Sequence, residues 1–252
     1  MSTAIDQLIE VIASIPCECW AAGPTAAALH PFDGYVLKPP FHLMTEREHN
    51  IKRVGHFMHT TTRLELIDRA WAQGVPVLSP SRTLLHLGAS EPQERLTVAL
   101  DSALRDGLTS EDFVHRRIAA LRTSGRDGVR PLLRALEGNE IVRGGQSWLE
   151  REFLRLAGAA SLPRPLTQQV LGRRGDTLIR VDCRFPGTNL VVELLGYRWH
   201  RTKPQLHIDT QRINELVLRG FLVLQFTYPQ VVEMPNWVIE QVHHGLDRAT
   251  AA

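Results

Sequence analysis

Asp182 and Glu193 are the residues whose types and spacing point most directly to chemistry. Leu178–Phe185 alternates: Ile179, Val181, Cys183 and Phe185 face one way, Arg180, Asp182 and Arg184 the other. Pro186-Gly187-Thr188-Asn189 reads as a turn, and Leu190–Leu195 as a central strand whose apolar run is broken by Glu193. A four-residue turn pairs Phe185 with Leu190 and sets Asp182 directly across from Glu193. Facing carboxylates repel by several tenths of a kcal/mol or more, roughly, and the penalty grows as burial lowers the dielectric. Protonating one acid, placing an arginine beside them or binding a divalent cation between them relieves it. Arg180 and Arg184 share the face of Asp182, so the arginine solution is open. A slip of one residue in register would send the acids to opposite faces. Glu193 is the stronger anomaly, because a buried glutamate is costly unless paired. Metal or catalytic use is the preferred reading and a salt bridge the plainer one.

The elements that must position these acids follow from patterning. Gln146–Gly158 has helical spacing, and Ser147 three residues before Glu150 resembles a capping box. Gln168–Leu171 suits a strand, Pro204–Arg219 a helix ended by Gly220, Phe221–Thr227 a buried strand, and Pro235–Leu246 a closing helix. The expected class is α/β, a mixed sheet flanked by helices. The three glycines of 138–145 mark a boundary between residues 1–140 and 141–252. The first of these regions is expected to be mixed and largely helical. Ile5–Ile15 and Pro24–His30 suit helices, and Asp33–Leu43 and Val54–Thr60 short strands. A strand at Gly74–Ser81 runs into a helix capped near Pro80 and Ser81, and helices follow at Arg82–Gly88, Pro92–Asp106, Ser110–Leu121 and Val129–Leu136.

Composition narrows the function classes. At 252 residues, 43% hydrophobic and 22% charged, the chain can bury a sizeable core, which excludes a disordered or fibrous protein. No window approaches the ~20 apolar residues of a membrane helix, so no membrane partner is expected. Three cysteines (Cys17, Cys19, Cys183) and an N-terminus without a basic cluster suit a reducing cytoplasm. Residues 1–140 hold 15 Lys and Arg against 17 Asp and Glu, net −2; residues 141–252 hold 14 against 10, net +4. Of 29 basic residues, 26 are Arg, whose fork suits phosphate but also reflects genomic composition.

Three segments then acquire a joint meaning: Ser147-Trp148-Leu149-Glu150; Arg180-Val181-Asp182-Cys183-Arg184-Phe185-Pro186; and Leu190-Val191-Val192-Glu193-Leu194-Leu195-Gly196-Tyr197-Arg198-Trp199-His200. With Asp209-Thr210-Gln211-Arg212 and Leu218–Thr227, they resemble a domain family related to the very-short-patch-repair (Vsr) endonucleases, within the PD-(D/E)xK nuclease superfold. The resemblance covers about residues 146–246. It implies a restriction-endonuclease-like domain in which Asp182 and Glu193 hold Mg²⁺, with Mn²⁺ as an alternative ion. It gives Glu150 and Arg212 places in the catalytic site, and makes His200 a general acid or base. The family pattern Glu-x-Asp-Gly is here Glu193-Leu194-Leu195-Gly196, so Leu195 stands where many such nucleases carry a polar or charged residue. His200 or Arg212 then compensates, or cleavage is lost and the fold kept.

Thr25–His30 and Gly74–Gly88 resemble the AbiE-type antitoxin (AbiEi-like) region that often precedes such a domain, with His86 where that pattern has Asp. The implied function is a metal-dependent DNA endonuclease, a hydrolase of genome defence or DNA repair. The partner would be DNA, with phosphates met by Arg173, Arg174, Arg198, Arg201 and Lys203. The alternatives are an inactive nuclease-fold DNA-binding or toxin–antitoxin regulator, and a protein that binds only a toxin or defence-system protein. Tyr197 and Trp199 suit base stacking or packing at a sheet edge, and Trp148 and Trp237 suit the core. Cys17-x-Cys19 is too short for a zinc knuckle. His42, His49, His56 and His59 read as surface histidines, as do His243 and His244. No nucleotide-cradle or nucleophile-elbow motif occurs.

Overall fold

The computed structural model describes residues 3–47, 51–121, 128–143, 147–174, 177–196 and 203–249. The chain divides into two compact units, Met1–Asn139 and Glu140–Ala252. Among the described residues, no helix is long and apolar enough to cross a membrane.

The N-terminal unit runs α1 (Ala4–Ala13), β1 (Trp20–Ala21), α2 (Gly23–Leu29), β2 (His42–Glu46), β3 (Phe57–Thr61), a 3-10 turn at Leu66–Asp68, β4 (Arg69–Ala72), β5 (Val75–Leu78), α3 (Pro80–Ser90), α4 (Gln93–Arg105), α5 (Glu111–Leu121) and α6 (Val129–Arg143). Its sheet has the order β3-β2-β1-β5-β4, with parallel and antiparallel pairs. Leu8, Ala21, Ala26, Leu43, Val75 and Val77 form the core between α1, α2 and the sheet. The structure departs from expectation here in four places. Residues 33–41 form no strand, and the pairing starts at His42. β1 and β4 are too short for their periodicity to be read. The cap of α3 is Ser79, with Pro80 in the first turn, where its missing N–H costs nothing. α6 also continues to Arg143, so the glycine at 138 does not end it.

The C-terminal unit runs α7 (Trp148–Ala159), β6 (Leu166–Arg174), β7 (Thr177–Arg184), β8 (Leu190–Leu195), α8 (Lys203–Leu218), β9 (Leu222–Thr227), α9 (Tyr228–Glu233) and α10 (Pro235–Arg248). The α/β class holds: β6-β7-β8-β9 is a mixed sheet, antiparallel through β8 and parallel between β8 and β9. β8 is central and its apolar residues are buried, except Leu194, which is half-buried. Ile179, Val181 and Val191 pack with Leu216 of α8. Phe153 of α7 lies 6.4 Å, centroid to centroid, from Phe226 of β9. β9 is only half-buried, not the buried strand its composition suggests, since it lies at the edge of the sheet. Trp148 is in the core, but Trp237 is 36% exposed and meets Phe226 edge-on.

Candidate active site

The turn at 186–189, with Gly187 at φ 71°, closes the β7–β8 hairpin, and Phe185 donates its backbone N–H to Leu190 O at 3.1 Å. Cys183 then pairs with Val192 and Arg184 with Val191, the register that puts Asp182 across from Glu193. There the regular pairing stops. In place of a backbone carbonyl, the Asp182 carboxylate accepts the N–H of Leu194 at 2.8 Å. On the other side of the opening, Arg180 O accepts from Arg212 Nη1 of α8, also at 2.8 Å. The two strands thus part where the two acids stand, and side chains satisfy the backbone groups left over.

Glu193 is 2% exposed. Arg212 forks onto it, Nη1 to Oε1 at 2.8 Å and Nη2 to Oε2 at 2.9 Å. Even so, its carboxyl is pushed up to about 7, first by burial, then by the charge of Asp182; Arg212 lowers it and Asp209 raises it further. Burial of the guanidinium works against Arg212, but Glu193 and the neighbouring carboxylates hold its pKa above the ordinary value. Ser147 caps α7 by accepting the Glu150 backbone N–H at 3.2 Å. Glu150 is 7% exposed, and its carboxyl is raised chiefly by burial and also by the charge of Asp182. Its Oε2 is buried without a hydrogen-bond partner. Gln168 Nε2 reaches Asp182 Oδ1, at 3.5 Å.

The structure therefore brings together Glu150, Asp182, Glu193 and Arg212, four of the five residues expected to be catalytic. His200, Arg198 and Arg201 lie outside the described residues. Arg173 is exposed on β6; Arg174 ends that strand and Lys203 begins α8, and nothing is described of their side chains. Sequence reading missed Gln168, whose signal was its register position opposite Asp182, and the electrostatic part of Asp209, one helical turn before Arg212.

Among the described residues, no group of three His, Cys, Asp or Glu side chains is arranged to hold a metal ion. A Mg²⁺ site does not require one: that ion binds through one or two carboxylates, waters and substrate phosphate. Hard oxygen donors at Asp182 and Glu193, and the orphaned Glu150 oxygen, fit such an ion. The Arg212 fork competes with it.

In the N-terminal unit, the surface reading of two histidines is corrected. His42 Nδ1 lies 3.1 Å from His59 Nε2, and His86 meets His59 edge-on at 4.5 Å between centroids. Gly23 lies beside them: a Cβ there would stand 3.5 Å from His86 Nδ1 and 3.7 Å from His42 Nδ1, at ordinary contact distance. Burial depresses all three imidazoles, and the charge of His59 adds to this for the other two, taking His42 to about 4 and His86 to about 3. His56 is half-buried, stacked on Phe41 and accepting its backbone N–H. His243 and His244 are exposed, and His49 lies outside the described residues.

No family model matches the chain, and no curated protein matches it. Among solved structures, the RV2827C protein from Mycobacterium tuberculosis is similar over 54% of each chain, with a TM-score of 0.40 and 17% identity. The match spans about half the length of that protein.

Proposed function

We propose that the C-terminal unit is a metal-dependent DNA endonuclease, acting in the cytoplasm in genome defence or DNA repair. The parting of β7 and β8 at Asp182 and Glu193 carries this reading. A sheet gives up ladder hydrogen bonds at a cost, and here the opening presents two acids beside a third, Glu150, with an unpartnered oxygen. Asp182 and Glu193 would hold Mg²⁺ or Mn²⁺, which supplies charge stabilisation at the phosphodiester and a more acidic water. Glu150 orients that water. Arg212 steadies Glu193 and offers positive charge beside the scissile phosphate. Arg173, Arg174, Arg198, Arg201 and Lys203 would contact the DNA backbone, making affinity fall steeply with salt. The likeness to Vsr-type nucleases in segment order supports the same conclusion.

One observation favours a second reading. Glu193 has both oxygens bonded by Arg212, and Leu195 offers no polar group, which suits a nuclease-fold DNA-binding or antitoxin-like regulator that no longer cuts. Supercoiled plasmid incubated with Mg²⁺ or Mn²⁺ decides. Nicking by the wild type that disappears in Asp182→Ala and Glu193→Ala is the expected result. DNA binding without nicking, indifferent to metal, selects the regulator. No DNA binding at low salt leaves a protein that binds a toxin or defence-system partner.

A further inference from the structure

Gln168 has a backbone conformation that its place in the fold does not explain. Its φ is 50°, in the left-handed region that glycine enters freely and glutamine does not. Among the described residues, the other two such non-glycine residues have local reasons: Gln73 sits in the turn before β5, and Ser161 follows the end of α7. Gln168 lies inside β6, between two regular pairs, Thr167 with Cys183 and Gln169 with Val181. That register sets it opposite Asp182. Strain of this kind persists where the surroundings over-determine it, and it collects at functional sites.

The side chain shows what the strain achieves. Its amide donates to Asp182 Oδ1 at 3.5 Å. The other Asp182 oxygen, Oδ2, accepts from Leu194. We propose that Gln168 is a positioning residue for the carboxylate site, held in strained backbone so that its amide reaches Asp182 and fixes that carboxylate in the opening between β7 and β8. Its role in metal binding rests on the endonuclease reading above; its hold on Asp182 does not.

Two substitutions separate this role from a plain structural one. Gln168→Gly relieves the backbone and removes the amide; Gln168→Glu keeps the size and the backbone but cannot donate. For the glycine variant we expect a Tm higher by about 3 °C. We also expect exchange of the Leu194 amide hydrogen faster by about tenfold, and Mn²⁺ affinity and plasmid nicking lower by about tenfold. The glutamate variant should lose Leu194 protection and Mn²⁺ affinity alike. A residue with only a structural role predicts the opposite for glycine: relief of strain with every other property kept. Wild-type Leu194 exchange in both variants overturns the proposal, whatever the activity. If the wild type neither binds Mn²⁺ nor nicks DNA, the endonuclease reading fails, and Leu194 exchange still decides whether Gln168 holds Asp182.

Discussion

Each unit buries an arginine fork on a carboxylate, and the two forks are balanced differently. In the N-terminal unit, Arg117 of α5 donates from Nε to Asp68 Oδ1 at 3.0 Å, from Nη2 to Asp68 Oδ2 at 2.8 Å, and from Nη1 to Glu65 Oε2 at 3.0 Å. Asp68 also accepts the Glu65 N–H, so the group ties α5 to the turn that leads into β4. Arg63 and Arg117 hold Glu65 below the usual carboxylate range. Two guanidinium groups thus face two acids. In the C-terminal unit, one guanidinium forks onto Glu193 while Asp182 and Asp209 bear on the same carboxylate, which stays near neutrality in its titration. Equal hydrogen-bond geometry therefore does not mean equal charge compensation. The balanced group is a structural tie, whereas the unbalanced one retains a demand for positive charge, as a cation- or phosphate-binding site does.

The largest test of this contrast removes each arginine. Arg117→Ala strands the buried Asp68 carboxylate, while Glu65 keeps Arg63, and should cost the N-terminal unit about 3–5 kcal/mol in urea unfolding. Arg212→Ala should cost the C-terminal unit only about 1 kcal/mol near pH 6, because Glu193 then takes up a proton it already holds loosely. Equal losses would erase the distinction.

Acid should next separate the units in opposite directions. His86 is depressed below its unfolded value of 6.5, so the folded state binds fewer protons, and stability present above pH 6.5 is lost as pH falls. Between pH 7 and 5 this one imidazole should cost about 2 kcal/mol, and His86→Asn should remove that slope from the N-terminal unit's urea midpoints. Glu193 is raised instead, from 4.5 to about 7, so the folded state holds the extra proton in that window. Its contribution is greatest at acid pH and declines as pH rises to 7. Glu193→Gln should accordingly stabilise the C-terminal unit by about 1 kcal/mol at pH 8 and hardly at all at pH 5, read as Tm against pH. A C-terminal unit that loses stability on acidification from pH 7 to 5, with Glu193→Gln changing nothing, would break the opposition.

Much of the C-terminal unit was legible because its signals are local. Alternation in 178–185 and the apolar run of 190–195 specify two strands, and the turn length sets their register to the residue. Gly220, at φ 84°, ends α8 where expected. Ser147 caps α7 for the same reason. Short elements were not legible: two-residue β1 and four-residue β4 carry too few positions for a period, and α9 follows β9 without a break. The histidines at 42, 59 and 86 come from β2, β3 and α3, and no spacing in the chain announces that they meet.

Sequence alone determined that two acids face each other on adjacent strands, because side-chain period and turn length are local geometry. Tertiary structure decided what becomes of them. The ladder opens, Asp182 turns onto the backbone of Leu194, Arg212 arrives from α8 to fork onto Glu193, and Gln168 twists to reach Asp182. Those outcomes depend on which charges distant elements bring into a buried space, and burial sets the strength of every one of them.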